Sequence, residues 1–315
     1  MNPRLKAPIF LGTLFCCLAI ALAQPSYSPA APGSDSGTDL IRQGQQKVRD
    51  GQQDEALALY RQVLAKSPDS FPAHLQMGVV LDLKGQYAEA RKHLAKAIEI
   101  APSPENKAQA LRAMAMSYGF ERNCGEAVKY SSQVYDVAMV AKDFNRAGEV
   151  ANELARVCLE SGDFDSAEKW YRLGHQAGLQ EPDLKPDQRD LWDFRLEHAQ
   201  ARIAARRGNK AEAQRHVEAA KAIFEKGTNP QQAPFVPYLV GYVAFYTGDY
   251  QTALTELQKG NQNDPFILSL IAQTYEKLGD QVKAKEYYQR VLNSNAHNPT
   301  NAYARPLAKQ KLSMD

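Results

Sequence analysis

The chain of 315 residues carries 38 basic and 36 acidic side chains, and this near balance gives no global reason to expect nucleic acid or an anionic membrane as partner. No segment after residue 23 is apolar for long enough to resemble a membrane span. Composition therefore argues against a protein that binds nucleic acid and against one that spans a membrane after residue 23. Other functions have to be judged from the pattern of residues along the chain.

Residues 1–23 have the pattern of an export signal. Arg4 and Lys6 precede the apolar run Ile9–Leu22, and Ala23 supplies a small residue at its end. We predict cleavage after Ala23, which removes two basic side chains and leaves 36 basic against 36 acidic ones. An uncleaved membrane anchor is the alternative, although the run is shorter than the about 20 residues of a spanning helix.

Residues 24–38 consist mainly of proline, serine, alanine and glycine with almost no bulky apolar side chain. Such a segment cannot offset its ordering entropy, so we predict a disordered linker there. The domain proper is then expected to cover residues 39–315.

A pattern of small residues recurs seven times along that domain. Each repeat has an alanine, another small residue twelve positions earlier, and a larger residue, usually apolar, four positions later. The alanines are Ala56, Ala90, Ala127, Ala167, Ala213, Ala253 and Ala284. The earlier small residues are Gly44, Gly78, Ala115, Ala155, Ala201, Gly241 and Ala272.

Each repeat contains two amphipathic patterns with apolar positions three and four apart, which indicates two helices per repeat. The helices are separated by a glycine, which tolerates the left-handed backbone at a helix end, and in the third repeat we predict that Asn123 replaces it. The small residues let the paired helices cross closely, and the larger ones are expected to fill the space between adjacent hairpins. The repeats begin near residues 37, 71, 108, 148, 194, 234 and 265.

This pattern resembles the tetratricopeptide repeat family over about residues 37–298. The second repeat carries the resemblance most clearly, in Met77, Gly78, Leu81, Gly85, Gln86, Tyr87, Ala90, Leu94, Ala97 and Pro102. The resemblance implies an all-α, right-handed solenoid of about seven helical hairpins, with the first helices lining its concave side. A capping helix is expected over residues 299–313.

The spacing departs from the family in the middle of the chain, where the segment Pro182–Trp192 is the largest insertion. We interpret residues 187–207 as one lengthened helix. Insertions often form docking surfaces, which would favour a role in an assembly.

Two cysteines remain after the predicted signal, Cys124 and Cys158, and export would carry them into a compartment where disulfides persist. The hairpin register puts them on neighbouring helices, one opening the second helix of the third repeat and the other late in the first helix of the fourth. A disulfide and two separate buried thiols both remain open.

Basic and aromatic side chains occupy the predicted concave face, arginines first and tyrosines after them, with Glu149 and Glu160 making the charge mixed. They suggest a groove for an extended ligand with an acidic and an aromatic or apolar part, since Tyr and Arg dominate interface hot spots. The alternative is that the aromatic rings pack inside the superhelix against the fifth and seventh repeats. The candidate residues are Arg112, Asn152, Arg156, Arg195, His198, Arg202, Arg206, Tyr238, Tyr242, Phe245 and Tyr246.

No catalytic motif appears, and the six histidines are scattered without metal-ligand spacing, so neither an enzyme, a metal nor a cofactor is predicted. The leading hypothesis is an exported, periplasmic or secreted scaffold that binds a protein or peptide in its concave groove. The alternative is a structural subunit of a cell-envelope assembly or polysaccharide-export complex that uses its convex faces. An enzyme is a third class that would need an unrecognised site.

Overall fold

A computed structural model of the protein describes residues 36–313. The predicted signal segment, its cleavage site and the predicted linker up to residue 35 lie outside the described residues. Residues 36–38, which we predicted as linker, are instead the start of the first helix, Ser36–Arg49, although they add no apolar side chain to its pattern.

The described residues form seven helical hairpins and one final helix, which confirms the all-α solenoid. The hairpins are α1 (Ser36–Arg49) with α2 (Gln53–Lys66), α3 (Phe71–Lys84) with α4 (Tyr87–Glu99), α5 (Pro104–Phe120) with α6 (Cys124–Val140), α7 (Phe144–Ser161) with α8 (Phe164–Gly178), α9 (Pro186–Arg206) with α10 (Lys210–Glu225), α11 (Phe235–Tyr246) with α12 (Tyr250–Leu257), and α13 (Pro265–Leu278) with α14 (Gln281–Val291). A 3-10 turn spans Pro230–Gln232, and α15 (Pro299–Leu312) ends the fold.

The first helices of the third, fourth and fifth hairpins begin four, four and eight residues before the predicted starts at 108, 148 and 194. Local caps explain two of these differences. The Ser103 hydroxyl accepts from the backbone N–H of Asn106 before α5, and the Asp143 carboxylate accepts from that of Arg146 before α7. The caps extend each helix beyond the repeating apolar pattern.

Turns inside the hairpins follow the predicted glycine pattern, except in the third hairpin. The left-handed glycines are Gly51, Gly85, Gly162, Gly208, Gly248 and Gly279. In the third hairpin the left-handed residue is Arg122, with φ of 55°, so the prediction for Asn123 was wrong. Asn123 instead caps α6, because its side-chain oxygen accepts from the backbone N–H of Glu126 at 3.1 Å.

The recurring small residues lie where the two helices of a hairpin cross. All seven alanines of the second helices are buried. At Gly241 an added Cβ would stand 2.7 Å from Cγ of Leu257 and 2.9 Å from its backbone nitrogen. The larger residue of this repeat, Leu257, thus covers the glycine of its own hairpin, whereas we expected it to fill the gap between hairpins. Leu94 covers Gly78 in the same way, at 2.5 Å from such a Cβ.

The insertion Pro182–Trp192 is exposed along most of its length and ends in a side chain that enters the core. Trp192 is buried, and Cβ atoms added at Gly148 or Gly178 would meet its ring at 2.5 and 2.0 Å. The expected lengthened helix is present as α9. The side chain that ends the insertion therefore packs onto the preceding hairpin, and the expectation of a docking surface on the exposed part of the segment stays a prediction.

Cys124 and Cys158 are joined in a disulfide, with their Cα atoms 4.7 Å apart. The bond links the start of α6 to the late part of α7, as the hairpin register placed them. Both cysteines are buried. The bond therefore ties the third hairpin to the fourth across their shared interface.

Substitution of two glycines by alanine should change stability in opposite directions. Gly241→Ala should lower the free energy of unfolding by about 1–3 kcal/mol, because the new methyl group meets the backbone of Leu257. Gly125→Ala is the matched control within α6, where the only near atom is the side-chain oxygen of Asn123 at 3.8 Å. This variant should gain up to about 1 kcal/mol from helix propensity. Urea denaturation measures both, and a neutral Gly241→Ala would contradict the close crossing.

Reduction of the disulfide should destabilise the protein without unfolding it at room temperature. The cysteines are 34 residues apart in sequence, and a loop of that size contributes about 3–4 kcal/mol by restricting the unfolded chain. Thermal unfolding with and without dithiothreitol measures the effect. The double variant Cys124→Ala, Cys158→Ala should resemble the reduced protein and show no response to dithiothreitol.

Candidate functional site

Side chains from distant hairpins meet in the interior of the superhelix. Arg156 on α7 donates from Nη2 to the hydroxyl of Tyr238 on α11 at 3.0 Å, and its guanidinium lies 4.2 Å from the ring centre of Phe266 on α13. These contacts skip whole repeats, because the strong curvature brings first helices face to face. At this level the interior is lined by buried side chains from three hairpins and is not an open groove.

The aromatic residues of α11 belong to this interior. Tyr242 is 0% exposed, and Tyr238 and Phe245 are also buried, while Tyr246 is half-buried. The ring of Tyr242 stacks on Phe266 with centres 6.1 Å apart. Of the two interpretations of this face, the structure shows packing inside the superhelix, so an exposed aromatic platform was the wrong expectation for the three buried rings.

Two of the predicted arginines share one buried carboxylate. Glu160 on α7 lies 2.9 Å from Nε of Arg156 and 3.1 Å from Nη1 of Arg206 on α9. The arginine side chains are 14% and 15% exposed, and that of Glu160 is 4% exposed. The guanidinium of Arg206 also lies 4.7 Å from the ring centre of Tyr246. These partners hold both arginines against the interior wall.

Arg202 and His198 lie deeper in the same cluster. Arg202 donates to the hydroxyl of Tyr171 at 3.0 Å and to the carbonyl oxygen of His198 at 3.3 Å. His198 is packed between Phe194 and Tyr238, with ring centres 5.8 and 5.5 Å away. Burial, and then the charges of Arg202 and Arg156, lower the pKa of His198 well below its usual range, so its imidazole is neutral at pH 7.

Three predicted residues, in the middle of α5, α7 and α9, and Phe235, at the start of α11, are exposed or partly exposed. Arg112 pairs with Glu153, whose charge raises the pKa of that guanidinium. Arg195 lies over the ring of Trp192 at 4.8 Å, and Asn152 is partly exposed. Phe235, the first residue of α11, is 48% exposed. We call Arg112, Asn152, Arg195 and Phe235 the groove rim.

The last helix, α15, reaches across the interior to the early repeats. Buried Arg305 donates to the carbonyl oxygens of Leu83 at 2.9 Å, Leu292 at 3.0 Å and Ser294 at 2.7 Å. Tyr303 lies between the ring of Phe266, 5.1 Å away, and the guanidinium of Arg122, 4.6 Å away. The helix was expected only to cap the seventh hairpin, and it also joins that hairpin to the second and third.

The residues just before α15 make a second link to the early repeats. His297 lies 2.8 Å through Nε2 from the carboxylate of Asp82 on α3, which is buried and also accepts from the hydroxyl of Ser117 at 2.7 Å. The ring of His297 packs on Phe120 with centres 5.4 Å apart. Two groups of contacts therefore hold the C-terminal segment in place.

Metal and membrane sites receive no support from the described part of the chain. His74 and His93 approach each other through Nδ1 at 2.9 Å, but no group of three potential metal ligands occurs among residues 36–313. No helix in the same range is long and apolar enough to cross a bilayer.

Several contributors to the interior could not be recognised from sequence. Tyr171 looked like a packing residue of its hairpin and instead accepts the hydrogen bond of Arg202. The sequence around Phe266 and Asp82 predicts that they lie on helices but gives no indication that they contact other hairpins in the interior. Arg305 lies outside the repeats, where no repeating pattern assigns a face.

Comparison with known proteins identifies the solenoid. Three models of the tetratricopeptide repeat match, over residues 47–115, 195–219 and 267–298. The crystal structure of a tetratricopeptide repeat protein from Parabacteroides merdae is similar with a TM-score of 0.52 and 12% identity, over 89% of this chain and 99% of that one. Apo RapI is similar with a TM-score of 0.54 and 12% identity, over 89% and 100%. No sequence among the curated proteins matches.

The fold is thus a helical-repeat solenoid of the kind that serves as a protein-interaction scaffold. More closely, the chain is a tetratricopeptide repeat protein, as the second repeat indicated. At 12% identity the two solved structures bear on the fold alone.

Loss of Arg305 should loosen the closure by α15. We expect Arg305→Met to lower the free energy of unfolding by about 2–4 kcal/mol, because three carbonyl oxygens lose a charged donor. Lys311→Met is the control on the same helix, since its half-exposed side chain pairs with Glu276 of the seventh hairpin, and it should cost less than about 1 kcal/mol. Hydrogen exchange should rise in α15 and at the end of α3 in the first variant only. Unchanged exchange there would contradict the joining role.

Proposed function

We propose that this protein is an exported, non-catalytic scaffold that binds an extended segment of a protein partner along the groove rim. The observation that supports this is the division of the predicted groove residues into two sets. The deep residues are engaged with one another inside the superhelix, whereas the rim residues remain accessible on successive first helices. A partner could therefore contact the rim without displacing the interior.

The rim combines charges of both signs with one aromatic side chain. Arg112 pairs with Glu153, the charge of Glu149 acts on Arg195, and Phe235 adds an exposed ring at the start of α11. An extended segment with an acidic and an aromatic or apolar part fits this order. The preformed curvature of the solenoid reduces the ordering cost of binding, because the rim residues are already in place.

A second candidate is a structural subunit of an envelope assembly that makes contact through its convex side. Exposed apolar side chains support it, namely Val137 and Val140 at the end of α6 and Val282 on α14. Isolated exposed valines are common on protein surfaces, however, and they form no row along successive hairpins. We therefore favour the rim.

Site-specific photo-crosslinking in the native host separates the two candidates. A benzophenone amino acid at position 235 replaces an exposed phenylalanine with a similar side chain and should give one discrete crosslinked product. The same amino acid at positions 140 and 282 is the matched control on the convex side. Crosslinks from the control positions alone would favour the assembly subunit and contradict rim binding.

Charge reversal then tests the rim residues themselves. Arg195→Glu should weaken capture of the crosslinked partner about tenfold, since arginine is a frequent interface hot spot. Lys129→Glu, on the exposed side of α6, should leave capture unchanged. Equal effects of both variants would show that the rim has no special role.

A further inference from the structure

Arg202 is a buried cation without a carboxylate partner. Only 5% of the residue is exposed, and among residues 36–313 no carboxylate lies within ion-pair distance of its guanidinium. Its Nη1 atom is fully buried and has no hydrogen-bond partner there. An ionised group removed from water costs several kcal/mol unless an opposite charge or hydrogen bonds compensate it.

The neighbouring groups do not supply that compensation. Glu160 is already shared by Arg156 and Arg206. Asp264 caps α13 by accepting from the backbone N–H of Phe266 at 2.8 Å, and its charge acts on Arg156. Three guanidinium groups, those of Arg156, Arg202 and Arg206, thus lie in a cluster with two carboxylates that have other partners, and the excess positive charge falls on Arg202.

The immediate surroundings of Arg202 are neutral. Tyr171 accepts one of its hydrogen bonds, and the rings of Tyr171 and Tyr242 lie 5.5 and 5.9 Å from its guanidinium. Burial raises the pKa of Tyr242 above its usual range, so this phenol cannot supply a negative charge near pH 7. Aromatic faces attract the cation but leave Nη1 without an acceptor.

We propose that Arg202 is the anchor of a buried binding site for one small monovalent anion. A single unpaired guanidinium balances one negative charge, whereas a dianion such as sulfate would itself be left partly uncompensated among aromatic rings. The anion is either a free ion or a carboxylate, and both present an acceptor to Nη1. The site goes beyond partner binding at the rim and does not depend on it.

Thermal unfolding in sodium chloride, sodium formate and sodium sulfate at matched ionic strength tests the site. Chloride or formate should raise the midpoint of the wild type in a saturable way, by roughly 2–4 °C once the concentration is well above Kd. Arg202→Met should lose this rise. A response to formate alone identifies a carboxylate ligand, and one to chloride alone identifies a halide.

Arg207→Met is the matched control, because this arginine, next to the end of the same helix, has carboxylate partners in Asp165 and Glu168. It should keep the rise, since general salt effects act on both variants alike. The proposal is overturned if the wild type shows no saturable response, if sulfate acts as strongly as chloride and formate, or if Arg202→Met responds like the wild type.

A second measurement covers the case in which Arg202→Met does not fold. Wild-type crystals soaked in sodium bromide should show an anomalous scattering peak within hydrogen-bond distance of Nη1 of Arg202. Absence of a peak there, with bromide sites elsewhere on the surface, would overturn the proposal for halides. Crystals grown with formate test carboxylates in the same way. Electron density for formate at Nη1 of Arg202 would support the proposal, and no density there would overturn it for carboxylates.

Discussion

Close approach of two helices at a glycine or alanine is the constraint on which this fold depends. A methyl group at position 241 would lie only 2.9 Å from the backbone nitrogen of Leu257. The two helices can therefore approach this closely only because Gly241 has no side chain. The same approach recurs in each repeat, where buried alanines face it from the second helix. Hairpins that share this close crossing then stack side by side, and the stacked array is curved although the helices differ in length.

Curvature decides which side chains can meet a partner. First helices that are far apart in sequence come into contact, as Arg156 does with Tyr238 and Phe266. The deep positions of the concave face therefore serve as a second core made of arginines and aromatic rings. Arg112 and Phe235 lie outside this second core and are exposed, which is why they belong to the proposed binding rim.

The repeats could be predicted from the sequence because each hairpin is specified by the same few residue types at the same spacing. Left-handed glycines and helix-crossing alanines depend on neighbours within one unit. Other features depend on contacts between units. In the third hairpin the side-chain oxygen of Asn123 caps α6, and the left-handed position falls to Arg122. Asparagine suits both positions, so the sequence did not decide between them. The burial of Tyr242 and the reach of Arg305 follow from the closure of the superhelix, which no single repeat encodes.

The path of α15 should make this array unfold differently from an open solenoid. An open solenoid has two terminal units with one neighbour each, and such arrays can unfold from an end. Here Arg305 and His297 connect the last unit to α3, so the early and late hairpins support each other. The first hairpin precedes α3 and lies outside these contacts, so fraying among the described residues is largely left to that one unit. Melting should then resemble the all-or-none transition of a small globular domain more than the gradual unzipping of a linear array.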